Sequence, residues 1–110
     1  MLFLVELDHV RSGAPLSPQA ARTFIEEVIF PTISRGEELV DEGKIVCGRP
    51  VARRVALRLM IEAESVGEVD EFVTSLPLRP LAETRVTPLI SFGERRRHVQ
   101  KLLESVRARA

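Results

Sequence analysis

Glu6, Asp8 and Arg58 are the side chains whose types suit proton transfer on a small acid. Glu6 and Asp8 are two residues apart, so an extended backbone puts them on one face. A carboxylate bordering an apolar pocket is a candidate general base. A guanidinium holds a carboxylate by a two-pronged contact. One base, one anion anchor and a dry pocket are what an isomerase of a small acid requires. Glu6 and His9 are therefore the candidate proton-transfer groups. Asp8, Arg58 and Arg85 are the candidate substrate-binding residues. The competing reading is that Glu6 and Arg58 pair with each other as a polar contact of purely structural use.

The remaining reactive residue types offer less. Imidazole titrates near pH ~6.5, and His9 lies at a strand end, where pockets form. His98 follows Arg95-Arg96-Arg97 and reads as exposed. Cys47, the single cysteine, reads as a buried and inert thiol. The sequence has no CxxC, no HExxH and no clustered His/Asp pattern, so no metal site is expected. Gly36, Gly43, Gly48 and Gly67 stand alone and form no phosphate-binding loop.

Composition excludes several classes of function. The formal net charge is zero, and no aromatic residues interleave with Arg49, Arg53 and Arg54 or with Arg95–Arg97. Nucleic acid is therefore not an expected partner. One cysteine permits no internal disulfide and fits a reducing compartment. The start MLFLVELDHV is interrupted by Glu6 and Asp8, with no basic region before it, and reads as a strand rather than a signal peptide. No apolar run approaches the ~18 to 20 residues that span a bilayer. A cytoplasmic protein without a membrane partner is expected. Its 110 residues make one domain.

Positioning these side chains takes four strands and their crossovers. Met1–His9 alternates as a strand, with Met1, Phe3, Val5 and Leu7 on one face. Arg11–Ser17 reads as a loop broken by Gly13 and Pro15. Ser17-Pro18 starts a helix, and Ala21, Phe24, Ile25 and Val28 follow at helical spacing. Pro31 should kink or break it, giving one kinked helix or two at an angle. Its second piece should carry Ile33, Leu39 and Val40 inward and stop at Gly43. Lys44–Val51, with a turn near Gly48–Pro50, and Arg54–Ala63 read as a hairpin. Ser65 and Glu68 form a capping box for a helix that buries Val69, Phe72, Val73 and Leu76. The connector Leu76-Pro77-Leu78-Arg79-Pro80-Leu81 forbids a continued helix. Glu83–Phe92 reads as the fourth strand, with Arg85, Thr87 and Leu89 on one face and Val86, Ile90 and Phe92 on the other. Gly93 breaks it. Glu94–Arg109 reads as a last helix with the stripe Val99, Leu102, Leu103 and Val106.

The order βαββαβ plus a helix is the ferredoxin-like α+β pattern. Right-handed crossovers put the helices on one face of an antiparallel sheet ordered 4-1-3-2. The other face, with Leu2, Leu4, Ala56, Met60 and Leu89, is left bare. It should also carry Glu6, Asp8, Arg58 and Arg85. A bare apolar face marks an interface or a ligand site. Two such sheets packed together would give a dimeric α+β barrel, a homodimer or a higher homo-oligomer.

The segments MLFLVEL, Glu42-Gly43 ahead of strand two and SLPLRPLAETRVTPL resemble the muconolactone isomerase family. Its members open with a similar MLF-x-V strand and carry a similar LPL-x-P connector. The resemblance spans roughly Met1 to Leu89. It implies a ferredoxin-like subunit, oligomers of dimeric barrels, and no metal or organic cofactor. It also implies movement of a proton and a double bond within a small carboxylated lactone, in aromatic catabolism. The family pattern has a histidine where this chain has Leu4, and the basic last helix is an addition. The second functional reading is a non-catalytic module that binds small molecules or oligomerises.

Overall fold

Eight-residue alternation opens the chain: β1 (Leu2–His9) buries every second side chain. The computed structural model describes residues 1–10 and 16–109, so most of the loop expected at Arg11–Ser17, with Gly13 and Pro15, lies outside the described residues. After it come α1 (Pro18–Phe24), a π-helical turn (Ile25–Ile29), α2 (Phe30–Asp41), β2 (Ile45–Pro50) and β3 (Ala56–Glu62). Then follow α3 (Val66–Thr74), a 3-10 turn (Arg79–Leu81), β4 (Ala82–Leu89) and α4 (Phe92–Arg109). The strands pair antiparallel in the order β2-β3-β1-β4. This is the expected sheet, in a ferredoxin-like α+β fold with one helix added.

Phe3, Val5 and Leu7 of β1 are fully buried, together with Leu39 of α2 and Val69 and Val73 of α3. Leu59 and Ile61 of β3 complete this core beneath the helices. Each such side chain contributes about 1.5–3 kcal/mol of burial. The opposite face of the sheet takes no part in the core.

Local chemistry sets the boundaries, and it moves several of the expected ones. The Ala20 N–H donates to Ser17 Oγ at 3.1 Å, which caps α1 as read. Pro31 does not break the helix. The wide turn just before it, where the Phe30 N–H donates to the Ile25 carbonyl, carries the chain through. A π turn adds a residue to the ring and shifts the helix phase. Ile33 and Val40, expected inward, are exposed because they face an open cleft between α2 and the sheet, while Leu39 beside them is buried. Gly48 lies inside β2, not in a turn; the turn comes later, around Arg53, which has a positive φ. Register shifts between Ile45 and Cys47, a bulge in β2. Cys47 is exposed, against the expected burial.

The fourth strand stops at Leu89, short of the expected Phe92, and α4 begins at Phe92 rather than at Glu94. Ser91 is the reason. The Glu94 N–H donates to Ser91 Oγ at 3.0 Å, so Ser91-Phe92-Gly93-Glu94 starts a helix with Gly93 in its first turn. Ile90 and Phe92 therefore do not share a strand face with Val86.

The proline-rich connector is not fully extended. Arg79–Leu81 make a single 3-10 turn, which tolerates Pro80 early because that position needs no N–H donor. Leu76 and Leu78 on either side of Pro77 are buried. One buried polar contact ties this connector to α2: the Leu78 N–H donates to Thr32 Oγ1 at 3.0 Å.

Two substitutions test these constraints. Thr32→Val keeps the volume but leaves the Leu78 N–H without an acceptor, so urea denaturation should show a loss of about 1–3 kcal/mol. Thr32→Ser should recover most of it. At Gly48, with φ +149°, a Cβ would lie 2.5 Å from the Arg58 carbonyl oxygen. Gly48→Ala should therefore destabilise by about 1–3 kcal/mol in the same measurement.

Candidate functional site on the uncovered sheet face

Cross-strand register builds this face row by row. Arg49 of β2 lies beside Arg58 of β3, Arg58 beside Glu6 of β1, and Glu6 beside Arg85 of β4. Three guanidinium groups and one carboxylate thus cross all four strands in one line. The adjacent row is Cys47, Met60, Leu4 and Thr87, and beyond it Leu2 lies beside Leu89. Positive charge is in excess within this row, which borders an apolar strip on one side and the acidic pair Asp8 and Glu83 on the other. Alternation alone produces this pattern, because Glu6 and Leu4 are two residues apart on the same strand.

Arg58 is held on three sides. Its Nε lies 3.5 Å from Glu6 Oε1 and its Nη2 lies 3.2 Å from Asp8 Oδ1. Its Nη1 donates to the Leu57 carbonyl at 2.9 Å. Arg54 adds a second cation to Asp8, at 3.4 Å. The Glu6 side chain is 27% exposed and that of Arg58 33%, so the pair is neither buried nor freely solvated. Neither Arg85 nor Arg49 has a carboxylate within 4.0 Å among the described residues. These are the cations on the face that can receive an anion without displacing a partner.

The structure brings Glu6, Asp8, Arg58 and Arg85 together as candidate site residues, and it separates His9 from them. His9 lies beside Ala82 on the face toward the helices, with its ring centroid 4.9 Å from that of Phe24. Thr84, on that same side, has a buried hydroxyl without a hydrogen-bond partner. His98 sits on exposed α4.

A cleft of about 360 Å³ opens elsewhere, between α2 and the helix-covered side of β2 and β3. Ile33, Val40, Leu57 and Leu59 contribute its apolar lining, and Glu37, Asp41 and, at its edge on β2, Arg49 stand among its residues. None of Glu6, Asp8, His9, Arg58 or Arg85 lines it. Sequence reasoning missed this cleft and the place of Arg49. Arg49 falls within the turn expected near Gly48–Pro50, but the Cys47/Arg49 alternation after the bulge puts both on the uncovered face.

Among the described residues, no group of three or more His, Cys, Asp or Glu side chains could hold a metal ion. No described helix is long and apolar enough to cross a membrane.

No protein-family model matches the chain, and no curated protein matches it. Among solved structures, it is similar to 5-chloro-2-hydroxyhydroquinone dehydrochlorinase (TftG) from Burkholderia phenoliruptrix AC1100, in complex with 2,5-dihydroxybenzoquinone. The TM-score is 0.60 at 24% sequence identity, over 86% of this chain and 98% of that chain. What the two chains share is the ferredoxin-like α+β fold.

Proposed function

We propose that this chain is a cofactor-free enzyme of the muconolactone isomerase type, acting on a small ring compound that carries a carboxylate. The observation that carries the reading is the charged row itself. Arg85 offers a guanidinium with no carboxylate partner, one strand away from Glu6, and the apolar strip of Leu4 and Met60 lies alongside. Such a surface fits an anion with an apolar body. Arg85 anchors the carboxylate. Glu6 removes a proton from a carbon next to the activated carbonyl. Arg58, fixed by Asp8 and by the Leu57 carbonyl, neutralises the charge that develops on the carbonyl oxygen. Returning the proton to a different carbon completes the shift of the double bond, with no other reactant needed.

Two copies packed with their uncovered faces together would exclude water from this row and close a dimeric barrel. The similar dehydrochlorinase, in its complex with a dihydroxybenzoquinone, supports a small oxygenated ring as the ligand class. His9 would take part only from the helix side, as a second proton-transfer group. The second reading, a binding module without catalysis, is favoured by the three contacts that already hold Arg58.

A thermal-shift screen with small carboxylates, lactones and hydroxyquinones tests the reading. At ligand concentrations ~100-fold above Kd, binding stabilises by about 2.7 kcal/mol, enough to read as a rise in Tm. Arg85→Ala should weaken binding at least tenfold. Glu6→Gln should keep binding and lower turnover by roughly 10²–10⁴, followed by the ring's ultraviolet absorbance. If no compound raises Tm, the isomerase and the small-molecule-binding module both fail, and the module that only oligomerises stands. If ligands bind but none is turned over, the binding module stands instead.

A further inference from the structure

We infer that α4 is an assembly arm whose apolar stripe docks in the α2/β2 cleft of a second copy of this chain. Phe92, Val99, Leu102, Leu103 and Val106 fall on one side of α4 by its 3.6-residue turn. All five are exposed, Phe92 to 96%, and no residue of the helix is buried. A helix that is this exposed gains little stability from its own chain.

The amount of surface points to a missing contact. The chain exposes 8196 Å² at a mass of 12.3 kDa, where compact monomers of that mass expose about 6,100 Å². Its radius of gyration is 18.8 Å, against about 13 Å for a compact domain of this length. The excess surface exceeds the ~800 Å² that each partner gives to a standard interface.

Charge selects the occupant. Six basic side chains of α4 stand against Glu94 and Glu104, a net of +4. Over residues 18–42, which include α1 and α2, six acidic side chains stand against Arg22 and Arg35, a net of −4. Of these, Glu37 and Asp41 line the cleft, and neither has a cation within 4.0 Å among the described residues. Arg95 and Arg96 flank the α4 stripe at its start, and Arg107 and Arg109 at its end. The apolar stripe with basic margins therefore matches an apolar cleft with acidic residues beside it. Two α4 helices would not pair with each other, because their basic margins would meet. The lining sets Glu37 and Asp41 against Arg49 alone, so its charge balance favours a basic occupant over a small anion.

Reach makes the contact intermolecular. Only Ile90 and Ser91 separate β4 from α4, and Ser91 caps the helix, which fixes its exit. β4 and β2 lie at opposite edges of the sheet. A helix about 27 Å long, at 1.5 Å per residue, standing off the subunit is placed to reach a neighbour's cleft, not its own.

Sedimentation equilibrium of the full chain tests the contact. The wild type should associate, more weakly as salt rises. Glu37→Arg with Asp41→Arg should raise the dissociation constant at least tenfold, and so should Arg95→Glu with Arg96→Glu. All four positions are exposed, so both variants should fold, as circular dichroism will show. The variant carrying all four changes should return to within about threefold of the wild type. A monomeric wild type, association indifferent to Glu37 and Asp41, or no recovery in the four-fold variant would each overturn the inference. An oligomer that ignores these changes would leave the ligand-binding reading intact and place the interface elsewhere.

Discussion

One-sided helix packing governs this molecule. Both βαβ units send their helices to the same side of the sheet, so Phe3, Val5 and Leu7 are fully buried while Leu2 and Leu4, on the same strand, are only half-covered. The candidate ligand face follows from that asymmetry. The covered side supplies the stability. Its opposite collects the residues that a core would reject: Glu6, Asp8, Arg58 and Arg85 are all there because they fall on the alternate positions of their strands. The Thr32–Leu78 hydrogen bond serves the same division, since it fixes the connector that delivers β4 beside β1.

Charge on the uncovered face is arranged for exchange more than for stability. Partly exposed ion pairs such as Glu6–Arg58 contribute about 0–1 kcal/mol. A ligand anion could therefore enter the row at little cost to the fold. The three contacts on Arg58 hold its guanidinium in one orientation. Arg85 and Arg49 flank that fixed group with charges that no carboxylate of the described chain neutralises. The zero net charge of the chain conceals this local excess, and it equally conceals the opposition between acidic α2 and basic α4. Whole-chain charge is a statement about solubility and long-range steering, and it averages over both patterns.

Much of the fold was legible because periodicity and capping are local. Alternation in β1 and β3, the Ser65 cap and the order of elements were enough for the sheet order and for the face shared by Glu6, Asp8, Arg58 and Arg85. The misreadings have local causes too. Pro31 is expected to interrupt its helix, but the π turn at Ile25–Ile29 carries the chain through it, and Ile33 and Val40 are exposed on the open cleft that they line. Ser91 hides a helix start inside what reads as strand, since Ile90 and Phe92 continue the alternation for two more positions. Cys47 looked buried because the bulge before it could not be counted in sequence. The cleft was illegible for another reason: it exists only where two elements meet, and neither α2 nor β2 signals it alone.

The bulge in β2 has a consequence for how copies of this chain can and cannot meet. β2 and β4 each have one free flank of backbone groups, the template on which sheets grow strand by strand. The register shift at Val46 bends the first of these flanks, and Pro50 withholds a donor at its end. Pro88 withholds one near the end of β4. Both flanks are thus poor partners for β-augmentation, and runaway cross-β stacking is blocked from either side. Self-association is left to side chains, which recognise one another, in place of backbone, which does not.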